Sequence, residues 1–172
     1  LNNCVFTGTT TTAQPFADNY GDIRIPLPYD CGVPNDCEAI FNDCVVDRLY
    51  AWSHSKITLN NTTLKYIRCS THHDSKADAH MTIGAGTHVD EIFVSSSGLA
   101  KRVKDENGQY HWVDDPANRW APSLIIKDGA TVKLIDMNNR PWYDKHGVLS
   151  VIIEDGANVA EIINALEPYP GN

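Results

Sequence analysis

Two segments combine aromatic rings with carboxylates and an arginine, a combination that suits the binding of sugars. They read GQYHWVDDPANRWAP, at residues 108–122, and MNNRPWYDKHG, at residues 137–147. Apolar faces of sugar rings stack on aromatic side chains, and sugar hydroxyls need fixed hydrogen-bond partners. The candidate ligand-binding residues are Tyr110, Trp112, Asp114, Asp115, Arg119, Trp120, Trp142 and Tyr143. The alternative is that these aromatics pin long loops onto the fold or fill a subunit interface.

Carboxylates raise a second possibility, because glycosidases place two Asp or Glu side chains across the scissile bond. Candidates by residue type are Asp90, Glu91, Asp114, Asp115, Asp136 and Asp144. The chain has 22 acidic residues, so some pairing is inevitable, and sequence spacing does not give separation in space. Polysaccharide hydrolysis or lyase chemistry therefore stays an alternative to binding.

One stretch, CSTHHDSKADAH, gathers residue types that bind transition metals: Cys69, His72, His73, Asp74 and His80. Adjacent histidines point in different directions, and no HExxH spacing is present, so a solvated loop is predicted, with no metal and no cofactor. Two overlapping N-x-T sequons start at Asn60 and Asn61. Both asparagines fall at a tight corner of the repeat described next, which disfavours glycosylation.

Six stretches share one apolar outline, with an anchor followed by a second apolar position five or six residues later. The anchors are Leu1, Phe41, Leu59, Ile83, Ile126 and Ile153, and the second positions are Phe6, Val46, Leu64, Val89, Val132 and Val159. Three residues further lie Leu49, Ile67, Ile92, Ile135 and Ile162, and two before the anchors lie Ala39, Ile57, Met81, Leu124 and Val151. This outline predicts a strand, a short corner and a second strand.

The corners contain residues that tolerate a left-handed backbone. They are Asn2-Asn3, Asn42-Asp43 and Asn60-Asn61 in three copies, and Gly84-Ala85-Gly86, Asp128-Gly129-Ala130 and Asp155-Gly156-Ala157 in the others. Asn, Asp and Gly adopt positive φ more readily than other residues. A bend at one fixed point of each copy is therefore predicted.

Successive anchors lie 40, 18, 24, 43 and 27 residues apart, and the interval of 40 could hide a weaker turn anchored at Ile25. Intervals of about 20 to 27 residues are typical of one turn of a parallel β-helix. With these bends, the chain from Leu1 to about Leu166 resembles the right-handed, pectate-lyase-like parallel β-helix family. No catalytic motif of that family matches any position. The alternatives are an antiparallel sandwich and a left-handed hexapeptide helix, of which only IGAGTHV keeps the pattern.

Composition limits the classes of partner. The chain has 172 residues, 42% of them hydrophobic, and a formal net charge of −8. This size suits one domain over residues 1–172, while the acidic charge and the absence of a Lys/Arg-rich run disfavour nucleic acid. No apolar run is long enough to insert into a membrane. Because LNNCVF starts within a copy of the repeat, Leu1 is expected to follow a boundary or processing site within a longer polypeptide.

Five cysteines are an odd number without CxxC spacing, so one chain cannot pair them all. They are Cys4, Cys31, Cys37, Cys44 and Cys69. We expect reduced thiols, several of them small core residues, as suits assembly in a cytosol. A Cys31–Cys37 disulfide in a secreted protein is the alternative.

The resemblance implies an all-β solenoid of about six to seven turns, with loop insertions on one face. The expected excursions are residues 10–22, 26–38, 68–80, 96–121 and 136–148, all after the second strand. Proteins of this architecture include bacteriophage tail spikes, typically homotrimers, and surface proteins that bind or degrade polysaccharide. The resemblance thus implies recognition of a polysaccharide or surface glycan at a virion surface or an extracellular or cell surface. A structural shaft or trimerisation segment is the remaining alternative.

Overall fold

The computed structural model describes residues 1–6, 23–25, 37–71, 78–95, 100–114, 122–137 and 150–164. Within these residues the chain is all-β, with fourteen strands and no helix. The strands are β1 (Val5–Phe6), β2 (Ile23–Ile25), β3 (Cys37–Asn42), β4 (Val45–Ala51), β5 (Ser55–Asn60), β6 (Thr63–Ser70), β7 (Ala79–Ile83), β8 (His88–Ser95), β9 (Ala100–Lys104), β10 (Tyr110–Asp114), β11 (Pro122–Ile126), β12 (Thr131–Asp136), β13 (Ser150–Ile153) and β14 (Asn158–Ile163).

Twelve of these strands form two parallel sheets. Sheet A has the order β3-β5-β7-β11-β13, and sheet B has the order β1-β4-β6-β8-β12-β14, with β2 also paired to β4. Within each sheet the strands are stacked in chain order, and from β3 to β8 the chain alternates between the sheets. All pairings in both sheets are parallel, so the antiparallel sandwich is wrong for this part of the chain.

The strand register confirms the apolar alignment of the copies. In sheet A, Phe41 pairs with Leu59, Leu59 with Ile83, and Ile83 with Ile126, which also pairs with Ile153. In sheet B the second apolar positions pair in the same way, in the sequence Phe6, Val46, Leu64, Val89, Val132 and Val159. Residues at the same offset in different copies are therefore neighbours in space.

A left-handed backbone residue lies between each sheet-A strand and the sheet-B strand that follows it. The predicted corners contain positive φ at Asn3, Asp43, Asn61, Gly86, Gly129 and Gly156, with values from 47° to 91°. Asn and Asp support this conformation with short polar side chains, and Gly has no Cβ to oppose it. The prediction of one bend per copy is confirmed at these positions.

Side chains of both sheets form one buried core. Leu59 and Leu124 of sheet A and Ile67 and Ile92 of sheet B are completely buried and belong to the same cluster. The β-branched and leucine residues at alternate positions suit this arrangement, because successive side chains of a strand point to opposite faces. The core therefore lies between the two sheets.

Buried hydroxyls satisfy backbone groups at the bends. The Thr62 Oγ1 atom accepts a hydrogen bond from the Cys44 N–H at 3.3 Å and lies 2.8 Å from the Asn60 carbonyl oxygen, to which it can donate. One copy later, the Thr87 Oγ1 atom accepts from the Thr62 N–H at 3.3 Å and can donate to the Leu59 carbonyl. Both threonines are fully buried, so these contacts replace hydration that the backbone loses.

Asparagine side chains form a ladder along the bends. The Asn42 Nδ2 group donates to Asn2 Oδ1, and the Asn60 Nδ2 group donates to Asn42 Oδ1, both at 2.8 Å. The ladder stops at Gly84, where a Cβ atom would lie only 2.4 Å from Asn60 Oδ1 and 2.6 Å from the Leu59 carbonyl oxygen. Gly84 thus allows the change from a two-residue to a three-residue corner.

The connections from sheet B back to sheet A differ in length, and several expected excursions need corrected boundaries. The segment 68–80 overlaps β6, which continues to Ser70, and β7, which begins at Ala79. The segment 26–38 overlaps β3, and the segment 136–148 overlaps β12 by one residue. Ser70 pairs with Ser95 and Cys37 pairs with Ser55, so these strands extend beyond the shared outline. The segment 96–121 contains the strands β9 and β10, which were not predicted.

The possible weak turn anchored at Ile25 is contradicted by the pairing of β2. Ile23 pairs with Leu49 and Ile25 with Ala51, so β2 lies beside the end of β4 in sheet B, whereas an anchor would pair in sheet A. The strand β1 pairs with the beginning of β4. Together β1 and β2 cover β4, and residues 7–22 between them lie outside the described residues.

Candidate functional site

Three of the eight predicted ligand-binding residues belong to β10. Tyr110 begins this strand, Trp112 is its third residue and Asp114 ends it. For Trp112 and Asp114 the backbone position is described. The other five, Asp115, Arg119, Trp120, Trp142 and Tyr143, lie outside the described residues and stay predictions.

The strands β9 and β10 form an antiparallel hairpin inserted between β8 of sheet B and β11 of sheet A. Tyr110 pairs with Lys104, Trp112 with Arg102, and Asp114 with Ala100. Residues 105–109 connect the two strands, with Gly108 at a φ of 81°. We call β9, β10 and this connection the hairpin. It presents part of the predicted aromatic segment on a regular element.

Tyr110 has the exposure that ligand stacking requires. Its relative exposure is 57%, and the Lys104 Nζ atom lies 5.5 Å from the centre of its ring. This distance is within the range of a cation–π contact, and more than half of the Tyr110 surface is exposed. The flat ring can stack on the apolar face of a sugar, while the Lys104 ammonium group and the Tyr110 hydroxyl can donate hydrogen bonds to the sugar hydroxyls.

Asp105 organises the connection of the hairpin. Its Oδ1 atom accepts hydrogen bonds from the N–H groups of Asn107 at 2.9 Å and Gln109 at 2.8 Å. Its Oδ2 atom lies 2.7 Å from His111 Nε2. The pKa of Asp105 is lowered from its ordinary value. The hydrogen bond with His111 contributes most to this shift, and the bond from the Gln109 N–H contributes next.

Sequence reasoning missed Asp105 and its partners, although a turn signal was present. The letters DENG, from Asp105 to Gly108, combine an Asp that can bond to the backbone ahead of it with a Gly that accepts positive φ. This signal predicts a tight turn, but it does not reveal that His111 returns to the same carboxylate. The antiparallel pairing of β9 with β10 creates that contact.

Two of the carboxylates proposed by residue type lie close together on the outer face of sheet B. Glu91 pairs with Leu134, and Phe93, two residues on, pairs with Asp136, so Glu91 and Asp136 are diagonal neighbours on adjacent strands. Partial burial, and then the charge of Asp136, raise the pKa of Glu91 above its ordinary value. A proton is thus held more tightly on Glu91 than on a fully solvated glutamate.

Two of the carboxylates proposed by residue type, Asp90 and Asp136, have structural partners, and two others lie outside the described residues. Asp90 lies 2.6 Å from Lys133 Nζ, an exposed ion pair between neighbouring strands. Asp136 Oδ1 accepts a hydrogen bond from the Asn164 Nδ2 group at 2.8 Å. Asp115 and Asp144 lie outside the described residues.

An aromatic cluster beside Glu91 was also missed. Tyr50, Tyr66 and Phe93 are buried on the outer face of sheet B, and Trp52 packs against them. The Arg68 guanidinium is within cation–π range of two rings, 4.7 Å from the centre of Trp52 and 5.6 Å from that of Phe93. A sequence signal existed, because Tyr50, Arg68 and Phe93 each follow the third apolar position of their copy.

Within the part of the chain that the structure describes, the buried hydroxyl of Tyr66 in this cluster has no hydrogen-bond partner. Tyr66 pairs directly with Glu91 across β6 and β8. Burial is the main reason that the pKa of Tyr66 is raised well above its ordinary value, so the phenol stays protonated at neutral pH. An un-ionised phenol therefore lies beside the carboxyl group of Glu91.

The candidate metal ligands separate in the described part of the chain. Cys69 is fully buried in the core, while His80 is exposed on β7. His72, His73 and Asp74 lie outside the described residues. Among the residues whose structure is described, no group of three or more His, Cys, Asp or Glu side chains is arranged to hold a metal ion.

Cysteine positions agree with part of the expectation. Cys44 and Cys69 are buried core residues, and Cys4, Cys37, Cys44 and Cys69 are free thiols. Cys31 lies outside the described residues, and Cys37, as a free thiol, does not form the alternative Cys31–Cys37 disulfide.

The sequons at Asn60 and Asn61 lie at a corner that is unsuited to modification in the folded chain. Thr62, the hydroxyl residue of the first sequon, is fully buried. The Asn61 Nδ2 group donates to Asp43 Oδ1 at 2.6 Å, and the Asn60 Nδ2 group is part of the asparagine ladder.

Comparisons with protein-family models, curated proteins and solved structures found no match to this chain. In the described segments, the structure contains no helix that is long and apolar enough to cross a membrane.

Proposed function

We propose that the two parallel sheets belong to one right-handed parallel β-helix of about six or seven turns. Three observations support this proposal. The chain alternates between the sheets, strands stack in chain order, and the bends recur at one offset. Parallel strands joined by crossovers within one sheet are right-handed in about 98% of cases, which favours this hand.

On this fold we propose that the protein recognises a cell-surface glycan, as a spike or adhesin domain does. The observation that carries the proposal is the hairpin, which presents the exposed ring of Tyr110 beside Lys104. In the sequence, the hairpin follows β8, a strand of sheet B. Residues 138–149, which include Trp142 and Tyr143, follow β12, which also belongs to sheet B. Aromatic residues of both segments can therefore serve one ligand.

The proposal extends to the predicted residues whose side chains the structure does not describe. Trp112, Trp120, Trp142 and Tyr143 would stack on sugar rings, and Asp114, Asp115 and Arg119 would bind hydroxyls or charged substituents. A virion surface or an extracellular or cell surface is the proposed location, and a homotrimer the proposed assembly. Both follow from the resemblance stated above.

A glycan array tests this function with wild type, Tyr110→Ala, Trp112→Ala and Trp142→Ala, each checked by circular dichroism. Tyr110→Phe is the matched control, because it keeps the ring and removes only the hydroxyl. We expect selective binding by wild type and Tyr110→Phe, and about tenfold weaker binding by Tyr110→Ala, if ring stacking contributes about 1.4 kcal/mol, near the upper end of its usual range.

Two outcomes would reject recognition by the hairpin. Folded wild type that binds nothing on a broad array would contradict a glycan ligand. Equal binding by Tyr110→Ala and wild type would exclude the exposed ring from the site. Trimers that dissociate in Trp112→Ala or Trp142→Ala, without any glycan bound, would favour the structural shaft.

A second candidate function is glycan hydrolysis, favoured by the positions of Glu91 and Asp136. The raised pKa of Glu91 suits a general acid that gives its proton to the leaving oxygen of a glycosidic bond. Asp136 would take a proton from the attacking water, whose hydroxyl then bonds to the anomeric carbon. The starting state is restored when Asp136 releases its proton to solvent and Glu91 takes up a proton from solvent.

Release of reducing ends from a bound glycan tests this chemistry. Glu91→Gln and Asp136→Asn are expected to lose turnover by at least about 100-fold while they keep binding, since general acid–base catalysis contributes about 10²–10⁴-fold. Asp90→Asn is the control, because it removes a carboxylate next to Glu91 that is paired with Lys133. Turnover that survives in Glu91→Gln would exclude this pair.

A further inference from the structure

The hairpin depends on one carboxylate to a degree that its sequence does not reveal. Asp105 is the first residue of the connection between β9 and β10, and its two carboxylate oxygens contact three groups further along the chain. These are the N–H groups of Asn107 and Gln109 and the imidazole of His111. A single side chain thus bridges the connection and the strand that bears Tyr110.

Asp105 is bonded to the residue before Tyr110 and to the residue after it. The N–H of Gln109, which precedes Tyr110, donates to Asp105 Oδ1, and the Gln109 carbonyl accepts a hydrogen bond from the Asp105 N–H, both at 2.8 Å. His111, which follows Tyr110, lies 2.7 Å from Asp105 Oδ2. The backbone of Tyr110 is therefore held between two residues that are each bonded to the same aspartate.

We propose that Asp105 is the positioning residue of the glycan site, holding the hairpin so that the Tyr110 ring is presented in its binding orientation. The inference rests on the proposed function of Tyr110. Asp105 acts through Tyr110 and touches no ligand itself. Its effect is preorganisation: a ring that is already held in place loses less conformational freedom when the ligand binds.

The described side chains of the hairpin lie outside the buried core. None of the hairpin residues whose side chains the structure describes belongs to either buried cluster. Loss of the Asp105 contacts is therefore expected to change the hairpin and leave the melting temperature of the two parallel sheets unchanged. This separation allows a positioning effect to be measured apart from general unfolding.

The matched variants are Asp105→Ala and Glu106→Gln. The first removes all three side-chain contacts, whereas the second removes a charge from the neighbouring residue, which is exposed. Nearby charged or titratable residues of the hairpin are Lys104, Glu106, Tyr110 and His111. Both variants remove one negative charge, so any difference between them comes from the contacts of Asp105 rather than from net charge.

Binding to the glycan selected on the array is then measured by calorimetry in a double-mutant cycle with Tyr110→Ala. Preorganisation of one side chain predicts about five- to tenfold weaker binding for Asp105→Ala and no change for Glu106→Gln. If Asp105 acts through Tyr110, the variant that combines Asp105→Ala with Tyr110→Ala binds as weakly as Tyr110→Ala alone. Additive losses, or an unchanged affinity in Asp105→Ala, would overturn the proposal.

A measurement without ligand keeps this inference distinct from the proposed function. Amide hydrogen exchange in Asp105→Ala should become faster at Asn107 and Gln109 and stay unchanged in the strands of sheets A and B. If no glycan binds, the proposed function fails, and faster exchange would show that Asp105 still orders the hairpin. Unchanged exchange at Asn107 and Gln109 would overturn the positioning role whatever the array shows.

Discussion

Gly84→Ala is the substitution for which the structure gives the most definite expectation. Gly84 is not among the residues with positive φ, so an alanine there is not opposed by backbone conformation. The obstacle is space: the added Cβ would lie 2.6 Å from the Leu59 carbonyl oxygen and 2.4 Å from Asn60 Oδ1. Ordinary contacts of a Cβ atom are 3.4–4 Å, so at least one neighbour must move.

Neither neighbour moves without cost. The Leu59 carbonyl accepts hydrogen bonds from the Gly84 N–H at 2.7 Å and from Thr87 Oγ1 at 3.3 Å. The Asn60 side chain is bonded to Asn42 in the asparagine ladder. Overpacking costs about 1–3 kcal/mol and one lost hydrogen bond about 1 kcal/mol. We therefore expect a loss of about 3 kcal/mol in the free energy of unfolding.

Equilibrium unfolding in urea measures this loss, followed by circular dichroism and by tryptophan fluorescence, whose curves should coincide. Gly129→Ala is the control, because Gly129 has a φ of 75° and a nearest neighbour, Ala85 Cβ, at an ordinary 3.4 Å. Its expected cost is about 1 kcal/mol, for the left-handed conformation alone. In an Asn60→Ala background the cost of Gly84→Ala should fall to about 2 kcal/mol, since the contact with Leu59 remains.

Comparison of the unfolding free energies of Gly84→Ala and Gly129→Ala tests this explanation. If Gly84→Ala lies within about 0.5 kcal/mol of wild type, as harmless surface changes do, the close packing of successive bends is wrong. If Gly129→Ala is the more damaging of the two, backbone conformation rather than space limits these corners.

Two further predictions concern groups whose ionisation the fold changes. Cys37 is exposed, whereas burial raises the pKa of the Cys69 thiol to about 12. At a pH of about 8, a disulfide reagent should therefore modify Cys37 quickly and Cys69 only after unfolding. Mass spectrometry of the labelled peptides measures both reactions. For Glu91, the pKa is raised in the folded state, so its contribution to stability is present below the unfolded pKa and is lost as pH rises through the folded pKa. Glu91→Gln should therefore match wild type in urea unfolding near pH 4 and exceed it near pH 7.

Each of these expectations has a contrary result. Rapid modification of Cys69 in the folded protein would mean that solvent reaches the core between the sheets. A constant stability difference between Glu91→Gln and wild type at every pH would mean that the folded environment does not favour the protonated form of Glu91.

Much of the fold could be predicted from the sequence, because the deciding interactions are local. Asn3, Asp43 and Asn61 adopt the left-handed conformation that their short side chains permit, and Gly86 adopts it because it has no Cβ. Alternation of apolar and polar residues then determines which face of each strand is buried. The register between copies follows from these two local rules.

The candidate site was less predictable, because it depends on which strands become neighbours and on how insertions fold. The aromatic segment around Tyr110 was visible as a sugar-binding pattern, but its hairpin was not predicted. Asp105 and His111 meet only because β9 and β10 pair in antiparallel register. The five predicted residues outside the described part of the chain stay predictions.

The positions of the bends, the buried faces of the strands and the segments rich in aromatic residues can thus be read from local sequence. Three features required the folded chain: β2 lies beside β4, Glu91 lies diagonal to Asp136, and Arg68 contacts the rings of Trp52 and Phe93. The physical reason is the range of the interactions. A bend or a buried face is set within a few residues, whereas cross-strand neighbours are brought together by insertions whose lengths follow no period.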